Sequence, residues 1–214
     1  MSPENKLLIA TTNPGKIHEI NPLLAHLPIL LVGLDEIGVD PEFAERSETF
    51  FENSAAKALH YHRFHGLPTV ADDSGLVVEA LGGEPGVHSS RYLGENTKYS
   101  EKMASILERL KNAEKDDADR SARFTCALSL AVNDRVVATI EKHVLGSVAD
   151  EPRGCRGFGY DPIFYSPALR KTFGEAAAAE KDRISHRAQA LRSLAILLES
   201  HKKLREELGI SNEA

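Results

Sequence analysis

Short apolar runs alternate with longer amphipathic segments along the first half of the chain. The apolar runs predict buried strands, and the amphipathic segments begin at capping residues, as helices do. Strands are predicted at residues 6–10, 28–32, 69–71 and 76–81, and helices at residues 14–26, 50–65 and 97–112. This alternation of strands and helices is typical of an α/β protein.

The second half of the chain adds a predicted hairpin and a final helix. Residues 123–132 alternate in hydrophobicity, and Asn133 and Asp134 form a two-residue turn into a second strand over 135–144. The last helix is expected to begin at Ser185 and to bury one face, which carries Ala188, Leu191, Leu194, Ala195 and Leu198. Because hairpin strands are antiparallel and helix-linked strands are usually parallel, the predicted fold class is α/β, with a mixed central sheet and flanking helices.

Composition narrows the class of protein. The chain has 214 residues, of which 42% are apolar, so we expect residues 1–214 to form a single domain with a real core. A net charge of −6 argues against a nucleic-acid partner. No stretch approaches the roughly 20 apolar residues of a membrane span, so no membrane association is expected. The two cysteines form no C-x-x-C pair and no signal peptide is recognisable, so we expect reduced thiols and a cytoplasmic location.

The turn after the first strand is a candidate anion site. It reads Thr11, Thr12, Asn13, Pro14, Gly15, Lys16. Free backbone N–H groups at the start of the helix, together with the charge of Lys16, would attract a phosphate. The segment is not a P-loop, because Ala10 replaces the first glycine and Ile17 replaces the metal-binding hydroxyl. The alternative is an ordinary capped helix with a solvated lysine.

Paired carboxylates follow the third predicted strand, in the stretch TVADDSG. Asp72 and Asp73 stand at the end of that strand, where ligands of α/β proteins usually bind. Mg²⁺ binds through one or two carboxylates and keeps phosphate oxygens and waters as its other ligands. Glu45 has no local capping role and is a candidate for a further metal carboxylate. The alternative is a plain turn in which Asp73 and Ser74 cap local N–H groups.

Two later segments could recognise a flat ring. Phe158 lies between two glycines in GFGYDP, which suits stacking on a base, although Phe158 and Tyr160 could instead fill a gap in the core. Arg187 falls in the first turn of the last helix, where a cation is disfavoured by the helix dipole, so either a ligand or a carboxylate partner is implied. An arginine can donate to both O6 and N7 of a 6-oxo purine. Lys181 could reach a phosphate, and the histidines at 60, 62 and 65 are interpreted as a solvated helix face.

Five motifs in order carry a resemblance to a known family. They are T-x-N-x-x-K-x-x-E from Thr11, ADDSGL at 71–76, LGG-x-PG at 81–86, GFGYDP at 157–162 and SHR at 185–187. Together they resemble the inosine triphosphate pyrophosphatase family, also called the dITP/XTP pyrophosphatases, over residues 7 to about 198. The resemblance implies a mixed α/β fold with two lobes around a nucleotide-binding cleft. It also implies a homodimer that uses Mg²⁺ to hydrolyse ITP, dITP and XTP to monophosphate and pyrophosphate.

The same resemblance implies roles for individual residues. Asp73 would be the catalytic base and a metal ligand, with Glu45 as a further metal ligand. Asp72 would be either another metal ligand or a structural anchor. Residues 11–16 would hold the triphosphate, residues 158–161 would form the wall beside the base, and His186 with Arg187 would read the base. The substrate-binding residues implied in this way are Thr11, Thr12, Asn13, Pro14, Gly15, Lys16, Ser74, Phe158, Gly159, Tyr160, Asp161, Lys181, His186 and Arg187.

Two other functions remain open at this stage. One is a related pyrophosphatase that acts on pyrimidine or modified nucleotides, which the 6-oxo argument disfavours. The other is a nucleotide-binding module without catalysis, which has little use for adjacent carboxylates.

Overall fold

The described part of the chain falls into two compact units. A computed structural model describes residues 5–38, 43–113 and 119–208. The first unit comprises residues 1–73, 126–142 and 187–214, and the second comprises residues 74–125 and 143–186. The organisation of residues 1–214 as one domain with two lobes around a cleft stays a prediction.

Helices and strands alternate up to the hairpin. The strands are β1 (Lys6–Ile9), β2 (Leu30–Gly33), β3 (Thr69–Val78), β4 (Ser121–Val132), β5 (Arg135–Val148), β6 (Phe164–Ser166) and β7 (Lys171–Thr172). The helices are α1 (Pro14–Leu24), α2 (Leu34–Ile37), α3 (Phe50–His65), α4 (Tyr99–Ala113), α5 (Ala178–Ile184), α6 (His186–Ser200) and α7 (Lys202–Glu207). None of the helices in the described ranges is long and apolar enough to span a bilayer.

The strands form one sheet of mixed direction. Its order is β2-β1-β3-β4-β5-β6-β7. Strand β1 pairs in parallel with β2 and β3, whereas β6 pairs antiparallel with β5 and β7. Strands β3, β4 and β5 each supply residues to both units. The predicted fold class, α/β with a mixed central sheet and flanking helices, is confirmed.

The stretch TVADDSG does not contain the predicted turn. The two strands expected at 69–71 and 76–81 are one continuous strand, β3, which includes Asp72, Asp73 and Ser74. The sequence-based interpretation was wrong because Asp, Ser and Gly favour turns locally, while pairing within the sheet and buried contacts keep this segment extended. Gly75 fits here because a Cβ at this position would meet the backbone of Gly86 and the side chain of Ser89.

The hairpin turn forms as the sequence predicts, whereas the position of His62 near the end of α3 differs from the prediction. Asn133 and Asp134 both have positive φ, 51° and 58°, as a two-residue hairpin turn requires. His62 was expected on a solvated face, but it is buried, and this expectation was wrong. Its Nδ1 lies 2.7 Å from the Leu67 carbonyl oxygen, and its Nε2 accepts the Asp134 N–H at 3.0 Å. His62 therefore links the end of α3 to the hairpin turn.

The first unit buries both faces of its strands. Leu7 and Ile9 of β1 pack with α1 and α6, while Leu8 and Ala10, which alternate with them, pack with α3. The predicted apolar face of the last helix is confirmed, since all five of its residues are buried, Ala188, Leu191, Leu194, Ala195 and Leu198. These packed layers hold in place the end of β1 and the first half of β3, which contains Asp72 and Asp73.

The second unit has an aromatic core. The ring of Phe164 lies 4.6 Å from Phe124 and 4.9 Å from Phe173, measured between centroids. Helix α4 covers this cluster with Met103 and Ile106, among others. The core supports the loop at residues 157–162, which carries Phe158.

Candidate functional site

The turn before α1 is a capped helix start. Asn13 is the N-cap, and its Oδ1 accepts the N–H groups of Gly15 at 2.9 Å and of Lys16 at 3.3 Å. Pro14 occupies the first helical position, as predicted. The expectation that these N–H groups are free was wrong, because the Asn13 side chain uses two of them. An anion at this turn would therefore compete with Asn13 for these two N–H groups.

Lys16 and Asp72 form a buried ion pair. The Lys16 ammonium contacts Asp72 Oδ1 and donates to the Asp72 carbonyl oxygen at 3.2 Å. Only 13% of the Lys16 side chain is exposed, so the solvated lysine of the alternative reading is excluded. Burial alone would lower the pKa of Lys16, but the charge of Asp72 raises it overall. Lys16 therefore stays charged.

Asp72 is the centre of a wider network. Its Oδ2 accepts from Arg187 Nε at 2.7 Å and from Cys126 Sγ at 3.1 Å, and Arg187 also pairs with Glu19. Burial would raise the pKa of Asp72, yet Arg187 and Lys16 hold it well below its usual range. Both carboxylate oxygens thus have cationic partners. Of the two roles left open for Asp72, these contacts fit the structural anchor, and its role as a metal ligand stays a prediction.

Arg187 has carboxylate partners. Its side chain is 2% exposed, its Nε is directed at Asp72, and one of its two terminal nitrogens is directed at Glu19. The sequence implied a ligand or a carboxylate partner for this arginine, and the second of these is observed. Reading of the base by Arg187 stays a prediction.

Asp73 has a different environment from its neighbour. It is 4% exposed, and among the described residues its Oδ2 is a buried acceptor without a hydrogen-bond donor. Burial, and then the charge of Glu45, raise its pKa to about 7, although Lys16 and a hydrogen bond from Asn53 act in the opposite direction. A carboxyl group with this pKa can gain and lose a proton near neutral pH, as a general base must.

Two residues of α3 that the sequence reasoning missed complete this cluster. Lys57 Nζ lies 3.5 Å from Glu45 Oε1, and burial together with the charge of Lys16 lowers its pKa. Asn53 is buried, its side-chain amide bonds both backbone groups of Ser47, and it acts to lower the pKa of Asp73. A usable signal was their spacing of four, which puts both side chains on one face of the predicted helix.

The donors around Asp73 fit Mg²⁺. The partnerless Oδ2 of Asp73 and the nearby Glu45 carboxylate are hard oxygen ligands of the kind this ion takes. Within the described ranges, no group of three or more Asp, Glu, His or Cys side chains could hold a metal by itself. This donor set suits an ion that takes its remaining ligands from water and phosphate.

The second unit holds a cluster around Phe158. The Lys181 ammonium lies 2.5 Å from Asp161 Oδ2 and 5.0 Å from the centre of the half-buried Phe158 ring. The same Asp161 oxygen accepts the Phe158 N–H at 2.8 Å. Gly157 has a φ of 70°, and a Cβ there would meet the Asp161 carboxylate. Asp161 therefore fixes both the loop and the lysine.

Two other predicted residues of this unit are buried. The Tyr160 hydroxyl donates to the Ser89 carbonyl oxygen at 2.9 Å, and its ring packs edge-on against Tyr99. The His186 ring stacks on Phe124 with centroids 4.8 Å apart. The Tyr160 side chain thus fills the core, which is one of the two alternatives that the sequence left open for these aromatic residues.

The predicted site residues divide between the units. The first unit contains the turn at residues 11–16 with Glu45, Asp72, Asp73 and Arg187, and the second contains Ser74, residues 158–161, Lys181 and His186. Thr12 and Pro14 are exposed, whereas Thr11 is buried. Binding of substrate by any of these residues stays a prediction.

A family model and sequence relatives of this chain point to the same family. The model of the Ham1 family matches residues 7–197. A dITP/XTP pyrophosphatase from Bacillus licheniformis is 42% identical over 194 residues, which cover 91% of this chain and 98% of the relative. One from Geobacillus kaustophilus is 44% identical over 189 residues and covers 88% and 92% of the two chains.

A solved structure agrees with the sequence comparison. The structure of a HAM1 protein from Coxiella burnetii superposes with a TM-score of 0.82 at 43% identity and covers 91% of this chain and 98% of the other. The family that the five motifs resembled is thereby confirmed, and the chain belongs to the Ham1 family.

Proposed function

We propose that this protein hydrolyses non-standard purine nucleoside triphosphates, namely ITP, dITP and XTP, to the monophosphate and pyrophosphate. In this role it would cleanse the nucleotide pool and prevent incorporation of these nucleotides into DNA and RNA. The names and coverage of the relatives support the reaction. The feature of this chain that carries the proposal is Asp73, a 4% exposed carboxyl group whose Oδ2 has no hydrogen-bond donor among the described residues and whose pKa burial raises to about 7.

The first unit supplies the groups for hydrolysis. Release of intact pyrophosphate requires cleavage between the α- and β-phosphates, and we assign the attack of water to the α-phosphorus. We assign Asp73 as the base that takes a proton from this water, because its raised pKa matches neutral pH. Lys16 and Lys57 are the cations in this cluster, and we assign them to phosphate oxygens, whose negative charge they would stabilise.

We propose that the reaction depends on Mg²⁺, held by Asp73 and Glu45. When bound, this ion neutralises phosphate oxygens and lowers the pKa of a bound water. The donor set around Asp73 supports this assignment.

We assign recognition of the base to residues of the second unit together with Arg187 of the first. The half-buried Phe158 ring offers a face for stacking, and Lys181, held by Asp161, offers a donor beside it. His186 and Arg187 keep their proposed role in reading the 6-oxo group. Since the guanidinium of Arg187 is engaged by carboxylates, main-chain groups of this pair would make the contact.

The proposal also covers the oligomeric state and the cellular location of the protein. We propose a homodimer, supported by the family resemblance. We also propose a cytoplasmic location, and the exposed free thiol of Cys155 is typical of a reducing compartment.

A substrate panel tests the function. The protein is incubated with Mg²⁺ and ITP, XTP, dITP, GTP, ATP, dTTP or dUTP, and pyrophosphate and single phosphate are measured separately. We expect pyrophosphate from the first three nucleotides, and EDTA should abolish its release. The Asp73→Asn variant should lose about 10²- to 10⁴-fold in kcat. Release of single phosphate, or equal rates on ATP, would overturn the proposal, and a preference for dTTP or dUTP would favour the pyrimidine alternative.

A further inference from the structure

We propose that Ser89 is a positioning residue, which connects β3 to the loop at residues 157–161 and thereby fixes the place of the Phe158 ring. The inference rests on the proposed function, since it concerns the stacking ring assigned there. It also gives a role to the motif LGG-x-PG at 81–86, which the groups assigned to hydrolysis and to the base do not include.

The side chain of Ser89 is tied to β3. Ser89 is 4% exposed, and its hydroxyl accepts the Leu76 N–H at 3.0 Å and donates to the Gly86 carbonyl oxygen at 2.7 Å. Leu76 lies in β3, two residues after Ser74. A Cβ on Gly75 would collide with the Ser89 hydroxyl, so the approach of Ser89 to the strand needs glycine there.

The LGG-x-PG motif brings Ser89 to this place. Gly83 donates to the Val78 carbonyl oxygen at 3.0 Å, and the Glu84 carbonyl oxygen accepts the Val78 N–H at 3.2 Å. Pro85 forms an antiparallel bridge with Val77. The motif therefore folds back along the end of β3, and the chain that follows it reaches Leu76.

The main chain of the same serine holds the loop. The Ser89 carbonyl oxygen accepts the Tyr160 hydroxyl at 2.9 Å, and Tyr160 is 2% exposed. The next carbonyl, of Ser90, accepts from the buried ammonium of Lys102, which lies 4.9 Å from the centre of the Tyr99 ring. The segment that carries Ser89 is thus fixed from α4 as well as from β3.

Phe158 depends on such anchors because its own backbone restrains it little. Gly157 and Gly159 flank it with positive φ, 70° and 66°, and glycine can adopt many other conformations. Asp161 accepts the Phe158 N–H at 2.8 Å, and the hydroxyl of Tyr160 fixes the residue between them and the core. A ring held in place before the base arrives binds it with a smaller ordering cost.

The test compares Ser89→Ala and Tyr160→Phe, which act at the two ends of this connection, with Tyr92→Phe. Tyr92 is buried in the same aromatic core as Tyr160, and its hydroxyl accepts from Arg109 at 2.6 Å, so the control also loses a phenol hydrogen bond. Three quantities are measured: kcat and KM for dITP with Mg²⁺, hydrogen exchange of residues 157–161 without nucleotide, and thermal stability.

We expect Ser89→Ala and Tyr160→Phe each to raise KM about 3- to 10-fold, as the loss of one hydrogen bond would, with a smaller change in kcat. Both should speed exchange in the loop. The double variant should raise KM little beyond the larger single effect, because both changes break one connection. Tyr92→Phe should lower thermal stability and leave KM and loop exchange within about 2-fold of wild type. If Ser89→Ala does not fold, Tyr160→Phe, which keeps the buried ring, is compared with Tyr92→Phe alone.

The two proposals fail in different ways. If wild type releases no pyrophosphate, the proposed function fails, while exchange of residues 157–161 still tests the connection through Ser89. If wild type is active and Ser89→Ala and Tyr160→Phe show the KM and the loop exchange of Tyr92→Phe, the positioning role is overturned. Fully additive effects on KM in the double variant would also overturn it, since Ser89 and Tyr160 would then act separately.

Discussion

Asp72 and Asp73 are adjacent in one strand, and their surroundings favour opposite protonation behaviour. Successive side chains of a strand point to opposite faces, so the two carboxyl groups meet different neighbours. Asp72 meets Lys16 and Arg187, which keep it ionised. Asp73 is buried, and its burial together with the charge of Glu45 raises its pKa to about 7. Only the second aspartate combines proton exchange near neutral pH with a carboxylate oxygen available for a ligand.

The first prediction at this scale concerns the pH dependence of stability without metal. In the folded state Asp73 binds a proton more tightly than its ordinary pKa of 3.8 allows, so its stabilising effect is present below about pH 4 and is lost as the pH rises through about 7. We expect the unfolding free energy of wild type to fall over this range relative to Asp73→Asn, by roughly 1.4 kcal/mol per pH unit at most. Urea denaturation of both proteins in EDTA measures the difference.

Mg²⁺ provides the control for this prediction. At pH 8 the ion should stabilise wild type and have little effect on Asp73→Asn, because the variant lacks a carboxylate ligand. Parallel stability curves for the two proteins between pH 4 and 8 would refute the environment described for Asp73.

Asp72 should behave as an anchor. Asp72→Asn leaves Lys16 and Arg187 buried without their shared carboxylate, so we expect a loss of about 3–5 kcal/mol at pH 7.5. In wild type the depressed pKa of Asp72 contributes stability above the ordinary pKa of the group, and this stability disappears on acidification. Urea denaturation gives the size of the loss.

The matched control is Asp150→Asn, at an exposed ion pair. Asp150 lies 3.6 Å from Arg120 and its side chain is 82% exposed, so this change should cost less than about 1 kcal/mol. Equal losses in the two variants would argue against a special role for the buried network.

At the scale of elements, the loop at residues 157–161 depends on the start of α5. Lys181 of α5 pairs with Asp161, and Asp161 holds the N–H of Phe158. The loop therefore keeps its conformation through a polar contact with a helix that lies about 20 residues later. Gly157 permits this arrangement, since any side chain there would displace the Asp161 carboxylate.

We accordingly expect Gly157→Ala to raise KM for dITP by more than it lowers kcat, because the stacking ring is displaced while Asp73 is untouched. Gly82→Ala is the control, since Gly82 also has positive φ, 67°, but has no atom within 4 Å of the added Cβ. It should cost about 1–2 kcal/mol of stability and leave KM unchanged. Both variants are compared by steady-state kinetics and thermal denaturation. Equal KM values for the two variants would contradict the proposed role of the loop in binding the base.

At the scale of the whole molecule, the proposed activity draws on both units. The groups proposed for hydrolysis belong to the first unit, and those proposed for the base belong to the second unit, apart from Arg187, which belongs to the first. The net charge of −6 is unfavourable for an anionic substrate, so the local cations Lys16, Lys57 and Lys181 must supply the attraction.

The proposed homodimer is tested at this scale. Large apolar side chains are exposed in the described chain, among them Leu145 at 68% and Ile196 at 63%, and a second copy could cover such surface. We expect light scattering coupled to size exclusion to give the mass of two chains at the concentrations used for assays. The mass of a single chain under those conditions would contradict the prediction.

Local patterns in the sequence determined most of the longer elements, several of their caps and turns, and the family. The cap at Asn13, the hairpin turn at Asn133 and the apolar face of α6 follow from short-range rules, so they could be predicted. The motifs also identified Asp73 as the candidate catalytic base. What they could not determine is which partner each charged side chain meets, because those partners lie far apart along the chain.

Only the tertiary structure decided those partners. Arg187 lies 115 residues from Asp72, and their contact depends on how the start of α6 packs against the middle of β3. The same packing kept TVADDSG extended where local propensity favoured a turn, and it brought Asn53 and Lys57 to the cluster around Asp73. Propensity acts over a few residues, whereas burial and charge pairing act between segments distant in sequence. For that reason the sequence could name the two aspartates, but only the fold could separate their roles.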